Sequence, residues 1–145
     1  MVSIRPLARL IENTNGKLTE ITIHYTTYDR DDITYNDNNN IIIQNICKKC
    51  PILEYLKLPL IARYVLELEK LLINCQYLKG LHIIIMIDDI GNLFKILARS
   101  SPNSLFKFKF DLFYQEVEIE SLKLFFDNWK GRHPMWLQFK YICMF

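Results

Sequence analysis

The chain is expected to adopt an α/β fold in which a helix–strand unit recurs about five times, its strands aligning as one parallel sheet. Three observations carry this expectation. First, the phrase L-x-x-L-x-L, with Ile, Phe, Trp or Tyr standing in for some leucines, occurs at Leu18–Ile23, Leu53–Leu58, Leu78–Ile83, Leu105–Phe110 and Trp136–Tyr141. Second, each occurrence follows a segment whose apolar residues fall at helical spacing. Third, the starts lie 35, 25, 27 and 31 residues apart, so the unit is in the mid-twenties with insertions, close to the ~20–29 residues of a leucine-rich repeat. A lone unit of this size cannot bury its apolar face, whereas stacked units share a core, so a curved solenoid with the sheet on its concave face is expected over residues 1–145.

The first unit pairs a helical segment at 7–13 with the strand Leu18–Ile23. The long interval that follows holds DRDDITYNDNNN, residues 29–40, an Asp/Asn-rich stretch that reads as a looped-out insertion. In the second unit the helix at 41–50 meets Pro51, which stops a helix without removing a ladder donor, and LEYLKL follows. In the third unit Leu68, Leu71, Leu72 and Cys75 fall at i, i+3, i+4 and i+7, one apolar stripe, with Glu69 and Lys70 on the other face. Leu81–Ile87, LHIIIMI, is far short of the ~20 apolar residues of a membrane-spanning helix and suits a buried strand.

Asp88 and Asp89 precede the fourth helix, which is expected to start near Gly91. A carboxylate there accepts from the first free backbone N–H groups, and we read the pair as a helix cap in preference to a metal site. The fourth helix, 92–100, is stopped by Pro102 ahead of LFKFKF. In the fifth, Trp129 stands four residues after Phe125 on the same face, which suits packing, and Gly131 suits a helix end. Pro134 then precedes WLQFKY. The final residues, Lys140–Phe145, make an apolar strand without the polar cap that terminal repeats need. A chain cut from a longer parent and an edge buried by self-association both account for it.

Composition narrows the functional classes. Half of the residues are apolar, enough for a real core, and 18 basic against 16 acidic side chains give a formal charge of only +2. No global field marks a nucleic-acid or membrane-surface binder. The amino terminus lacks the apolar run and small-residue cleavage site of an export signal, so an intracellular location is expected. Cys47 and Cys50 form a C-x-x-C, half of a tetrahedral zinc site with no second pair. Cys50 and Cys75 recur at one place in the unit, and free buried thiols are the expectation. His24, His82 and His133 fall in different units, and G-x-S-x-G, P-loop and H-E-x-x-H patterns are missing. The expectation is a non-enzyme with no cofactor, metal or small-molecule substrate.

The segments NICKKCPILEYLKL (45–58), ELEKLLINCQYLKGL (67–81), KILARSSPNSLFKFKF (95–110) and LKLFFDNWKGRHPM (122–135) resemble the C-terminal leucine-rich region of the large F-box-like protein families of arbuscular mycorrhizal fungi. The resemblance implies the substrate-recognition part of a cullin-based ubiquitin-ligase receptor. The first repeat-like helix begins near Leu7, so the F-box that would hold the adaptor is expected to be missing.

Outward positions of the strands were read as two columns. One holds Thr22, Lys57, His82, Lys109 and Lys140; the other holds Glu20, Tyr55, Gly80, Lys107 and Gln138. Together they predict a cationic ridge of Lys57, His82, Lys107, Lys109 and Lys140 with Tyr55 beside it, suited to an acidic segment of a protein partner. Three alternatives stay open: a merely solvated face, a truncated duplicate with no ligase role, and a weak nucleic-acid-binding module using the same lysines.

Overall fold

The computed structural model describes residues 9–24, 42–113 and 115–142. The expected insertion at 29–40 and the last three residues lie outside them. Five strands, β1 (Glu20–Thr22), β2 (Tyr55–Ile61), β3 (Gly80–Met86), β4 (Lys107–Leu112) and β5 (Trp136–Tyr141), form one sheet in the order β1-β2-β3-β4-β5. Every adjacent pair is parallel. Helices alternate with the strands: α1 and α2 are described over residues 9–12 and 42–49, and α3 (Val65–Asn74), α4 (Ile90–Ser100) and α5 (Ile119–Asn128) follow. A 3-10 turn at Ala62–Tyr64 leads into α3. The chain is therefore α/β with a single parallel sheet.

Why these segments pair follows from the alternation within each phrase. Leu53, Leu56 and Leu58, then Leu78, Leu81 and Ile83, then Leu105, Phe108 and Phe110 are all at most 2% exposed. They point to the face on which the helices pack, since side chains two apart in a strand share a face. The predicted stripe of α3 is equally buried, Leu68, Leu71, Leu72 and Cys75 each at 0%. Between β3 and β5 the core turns from aliphatic to aromatic. Phe94 of α4 stacks on Phe125 of α5 at 5.0 Å and meets Phe110 edge-on at 5.7 Å. Trp129 meets Phe108 edge-on at 5.4 Å and donates from its indole N–H to the His133 carbonyl, so its role is packing.

The backbone repeats its own pattern where each strand begins. The Thr19 carbonyl accepts from the N–H groups of Glu54 and Tyr55, that of Glu54 from Lys79 and Gly80, and that of Lys79 from Phe106 and Lys107. Just before, Leu53 donates to Cys50 and Leu78 to Cys75, which gives the two cysteines equivalent places as expected. Asp89 caps α4 by accepting from the Asn92 N–H at 3.0 Å, and Gly131 takes a positive φ of 84° after α5. In the outer helical layer Glu69 of α3, expected on the solvent side, accepts from Arg99 and Ser100 of α4. Those hydrogen bonds, Ser100's first, hold its carboxyl below the usual range.

Pro59 sits inside β2, which has a neighbour on each side, although proline cannot donate to a ladder. Tyr55 donates to, and Lys57 accepts from, the first strand's side. By alternation the nitrogen of Pro59 points the same way, beyond the point where β1 ends at Thr22. The main-chain bonds with the first strand accordingly stop after the Ile23 N–H donates to the Lys57 carbonyl, where Pro59 has no N–H to continue them.

One expectation is corrected. β5 pairs Trp136 with Lys107, Gln138 with Lys109 and Lys140 with Asp111. The phrase of the fifth unit thus starts at Pro134, not Trp136, and runs Pro134, Leu137, Phe139. By register Pro134 stands level with the leucines of the other units, but it is exposed and Met135 packs against the core there, so an apolar reading slides two residues on. The slide keeps Gln138, Phe139, Lys140 and Tyr141 on their faces but moves them one row along the strand, and it turns Trp136 from the core to the open face.

Candidate binding face

The side of the sheet on which no described helix packs carries three rows of side chains aligned by the register. The first is Glu20, Tyr55, Gly80, Lys107 and Trp136; the second is Thr22, Lys57, His82, Lys109 and Gln138; the third is Pro59, Ile84, Asp111 and Lys140. Neighbouring strands lie ~4.8 Å apart, so each row is continuous. The structure brings Tyr55, Lys57, His82, Lys107 and Lys109 together as the sequence implied. It places Lys140 in the third row beside Asp111, with Gln138 in the position Lys140 was expected to fill, because the fifth strand is two residues out of the assumed register.

Tyr55, Lys57, Gly80, His82, Lys107 and Lys109, with Glu20 and Thr22 at the margin, line a depression of ≈ 220 Å³. Its depth comes from Gly80. A Cβ there would stand 2.7 Å from Cδ1 of Tyr55 and 3.1 Å from Cε1, so the tyrosine ring lies against the glycine backbone. The ring remains 40% exposed. At the other end of the row the Lys107 ammonium sits 5.0 Å from the centre of the Trp136 ring, a cation–π contact, with the ring itself 45% exposed. Sequence reading missed Trp136 as a surface residue because the register error assigned it to the core.

His82 is the half-buried centre of the second row. Its Nε2 lies 2.9 Å from Oδ2 of Asp111, and the two side chains are 18% and 8% exposed. The contact has the distance of an ion pair but not the direction of a good hydrogen bond, so Nε2 and the other carboxylate oxygen, Oδ1, lack directed partners among the described residues. Burial lowers the imidazole pKa below its ordinary 6.5, opposed by Asp111 and reinforced by the charges of Lys57 and Lys109. No acidic side chain among the described residues pairs with Lys57, Lys107 or Lys109, whereas Lys79, just ahead of β3, is bonded to Glu54 at 2.9 Å. Asp111 lies beyond the end of the repeated phrase, and no sequence signal marks it as a partner of His82.

The other sequence candidates sit apart from this face. Cys47 accepts from the Asn74 amide, while Cys50 and Cys75 are fully buried and reduced. Desolvation raises the Cys50 thiol and, with the nearby Cys47 and Cys50, pushes Cys75 to about 12. No group of three His, Cys, Asp or Glu side chains able to hold a metal ion occurs among the described residues. No helix among them is long and apolar enough to cross a membrane. No protein-family profile and no curated protein matches the chain in sequence.

Proposed function

We propose that the chain is a leucine-rich-repeat solenoid whose open sheet face binds an acidic segment of another protein. The observation that carries this reading is the alignment of Lys57, His82 and Lys109 in one row beside Tyr55, Lys107 and Trp136 in the next. Lysines with no acidic partner among the described residues steer an acidic segment and set its orientation, and two exposed aromatic rings offer the apolar anchorage that interfaces concentrate at a few residues. The even main-chain linkage of successive units supports the solenoid. The likeness to F-box-like proteins makes the partner a protein destined for ubiquitination, with the adaptor held by a part of such a receptor that these repeats do not provide. Fold alone names no partner, so the face carries the argument.

Selection from a displayed random-peptide library tests it. The chain should enrich peptides rich in Asp and Glu, and the Lys57→Glu, Lys107→Glu, Lys109→Glu triple variant should lose that enrichment. Selected peptides with no acidic bias, or a bias unchanged in the triple variant, would reject the reading.

A further inference from the structure

The second row contains a group whose charge is not fixed. His82 stands between Lys57 on β2 and Lys109 on β4, their backbones in register, so two lysines flank the imidazole at roughly one strand spacing each. The groups facing it are Lys57 from β2, Lys109 and Asp111 from β4, and, at the margin of the same depression, Tyr55, Lys107, Glu20 and Thr22. On β3 itself its neighbours along this face are Gly80 and Ile84, neither of which ionises. Asp111 holds the ring from one side, and its buried Oδ1 has no hydrogen-bond partner among the described residues.

We propose that His82 is the proton-dependent third cation of this face, forming with Lys57 and Lys109 a three-strand cradle for a carboxylate side chain of an acidic peptide, and that it takes up a proton as the carboxylate arrives. The proposal rests on the protein-binding reading above. Without a ligand, burial is the main opposition to a positive charge on the ring; Asp111 offsets it in part, and the two lysine charges add to it. A carboxylate lying over the row reverses the balance, because it neutralises the lysines and pairs with the imidazolium. An inorganic anion offers nothing to the exposed Tyr55 and Trp136 of the neighbouring row, whereas a peptide can lay an apolar side chain against them beside its carboxylate. This favours a peptide carboxylate as the occupant. Since the complex then holds more protons than the free partners, affinity rises as pH falls.

The test uses a capped, fluorescein-labelled peptide of interleaved Glu and Leu, followed by anisotropy at pH 7.5 and pH 5.5, where its carboxylates stay largely ionised. The intact chain should bind tighter at the lower pH, by on the order of fivefold. His82→Gln, checked for folding by circular dichroism, should bind with the same affinity at both values, and Lys57→Glu should weaken binding at both. Binding that is independent of pH in the intact chain, or equally pH-dependent in His82→Gln, overturns the proton coupling while leaving the protein-binding reading in place. Absence of binding at either pH overturns both.

Discussion

Replacing Gly80 by alanine probes the contact that gives the open face its depression. The added Cβ would meet Cδ1 of Tyr55 at 2.7 Å, about 1 Å inside ordinary carbon–carbon contact. The backbone of Gly80 is not in the left-handed region, since positive φ among the described glycines is confined to Gly16 and Gly131. Alanine therefore fits the strand, and it gains about 0.5–1 kcal/mol over glycine by restricting the unfolded chain. Against that gain stands displacement of the Tyr55 ring. The ring is 40% exposed and free to swing outward, at a cost of about 0.5–1.5 kcal/mol in rotamer strain and lost packing. The two effects nearly cancel, so Gly80→Ala alone should change stability by less than about 1 kcal/mol. In a Tyr55→Ala background the clash is gone, and the same substitution should stabilise by about 0.5–1 kcal/mol. Urea denaturation of the four chains closes a double-mutant cycle with an expected coupling near 1 kcal/mol. A coupling below about 0.3 kcal/mol would show that the ring does not rest on Gly80.

Three further outcomes are expected. Because His82 is held neutral more strongly when folded than when unfolded, the unfolded chain takes up the proton first as pH falls. Stability is fully present above pH 6.5 and declines as pH drops below it, so the melting temperature should fall between pH 7 and pH 5 by less in His82→Gln than in the intact chain. Phe108, 0% exposed among Phe110, Phe125 and Trp129, should cost about 3–5 kcal/mol on replacement by alanine. Phe106, 39% exposed just ahead of β4, should cost well under half as much, and equal losses in urea titrations would contradict the difference in burial between the two rings. Among the described residues β5 pairs with β4 alone, and its core-row residues Leu137 and Phe139 are only half-buried. We propose that this edge self-associates, and light scattering across a concentration series should show a rise in mass that Tyr141→Lys diminishes. A mass near 17.4 kDa at every concentration argues against it.

The repeated phrase was legible because it is tied to burial. Every leucine-like position of the second, third and fourth units reaches the core, and the facing of Tyr55, Lys57, His82, Lys107 and Lys109 follows from it. The fifth unit was misread because Pro134 holds a leucine position and Trp136 resembles one. Spacing held the corrective signal: a start at Pro134 gives a 29-residue unit, within the usual repeat length, where a start at Trp136 gives 31. The approach of His82 to Asp111 and the seating of Tyr55 on Gly80 were not legible. Both join residues in different units, offset along the strands or leaning across them, and depend on side-chain direction as well as periodicity.

The carbonyls of Thr19, Glu54 and Lys79 each hold the next unit by two backbone N–H groups, and none of the three joints uses a side chain. Substitutions on the open face therefore leave the joints between units intact, and a whole unit could be duplicated or excised with the joints on either side reformed. The chemistry of the open face can therefore be rewritten residue by residue without touching the bonds that hold one unit to the next.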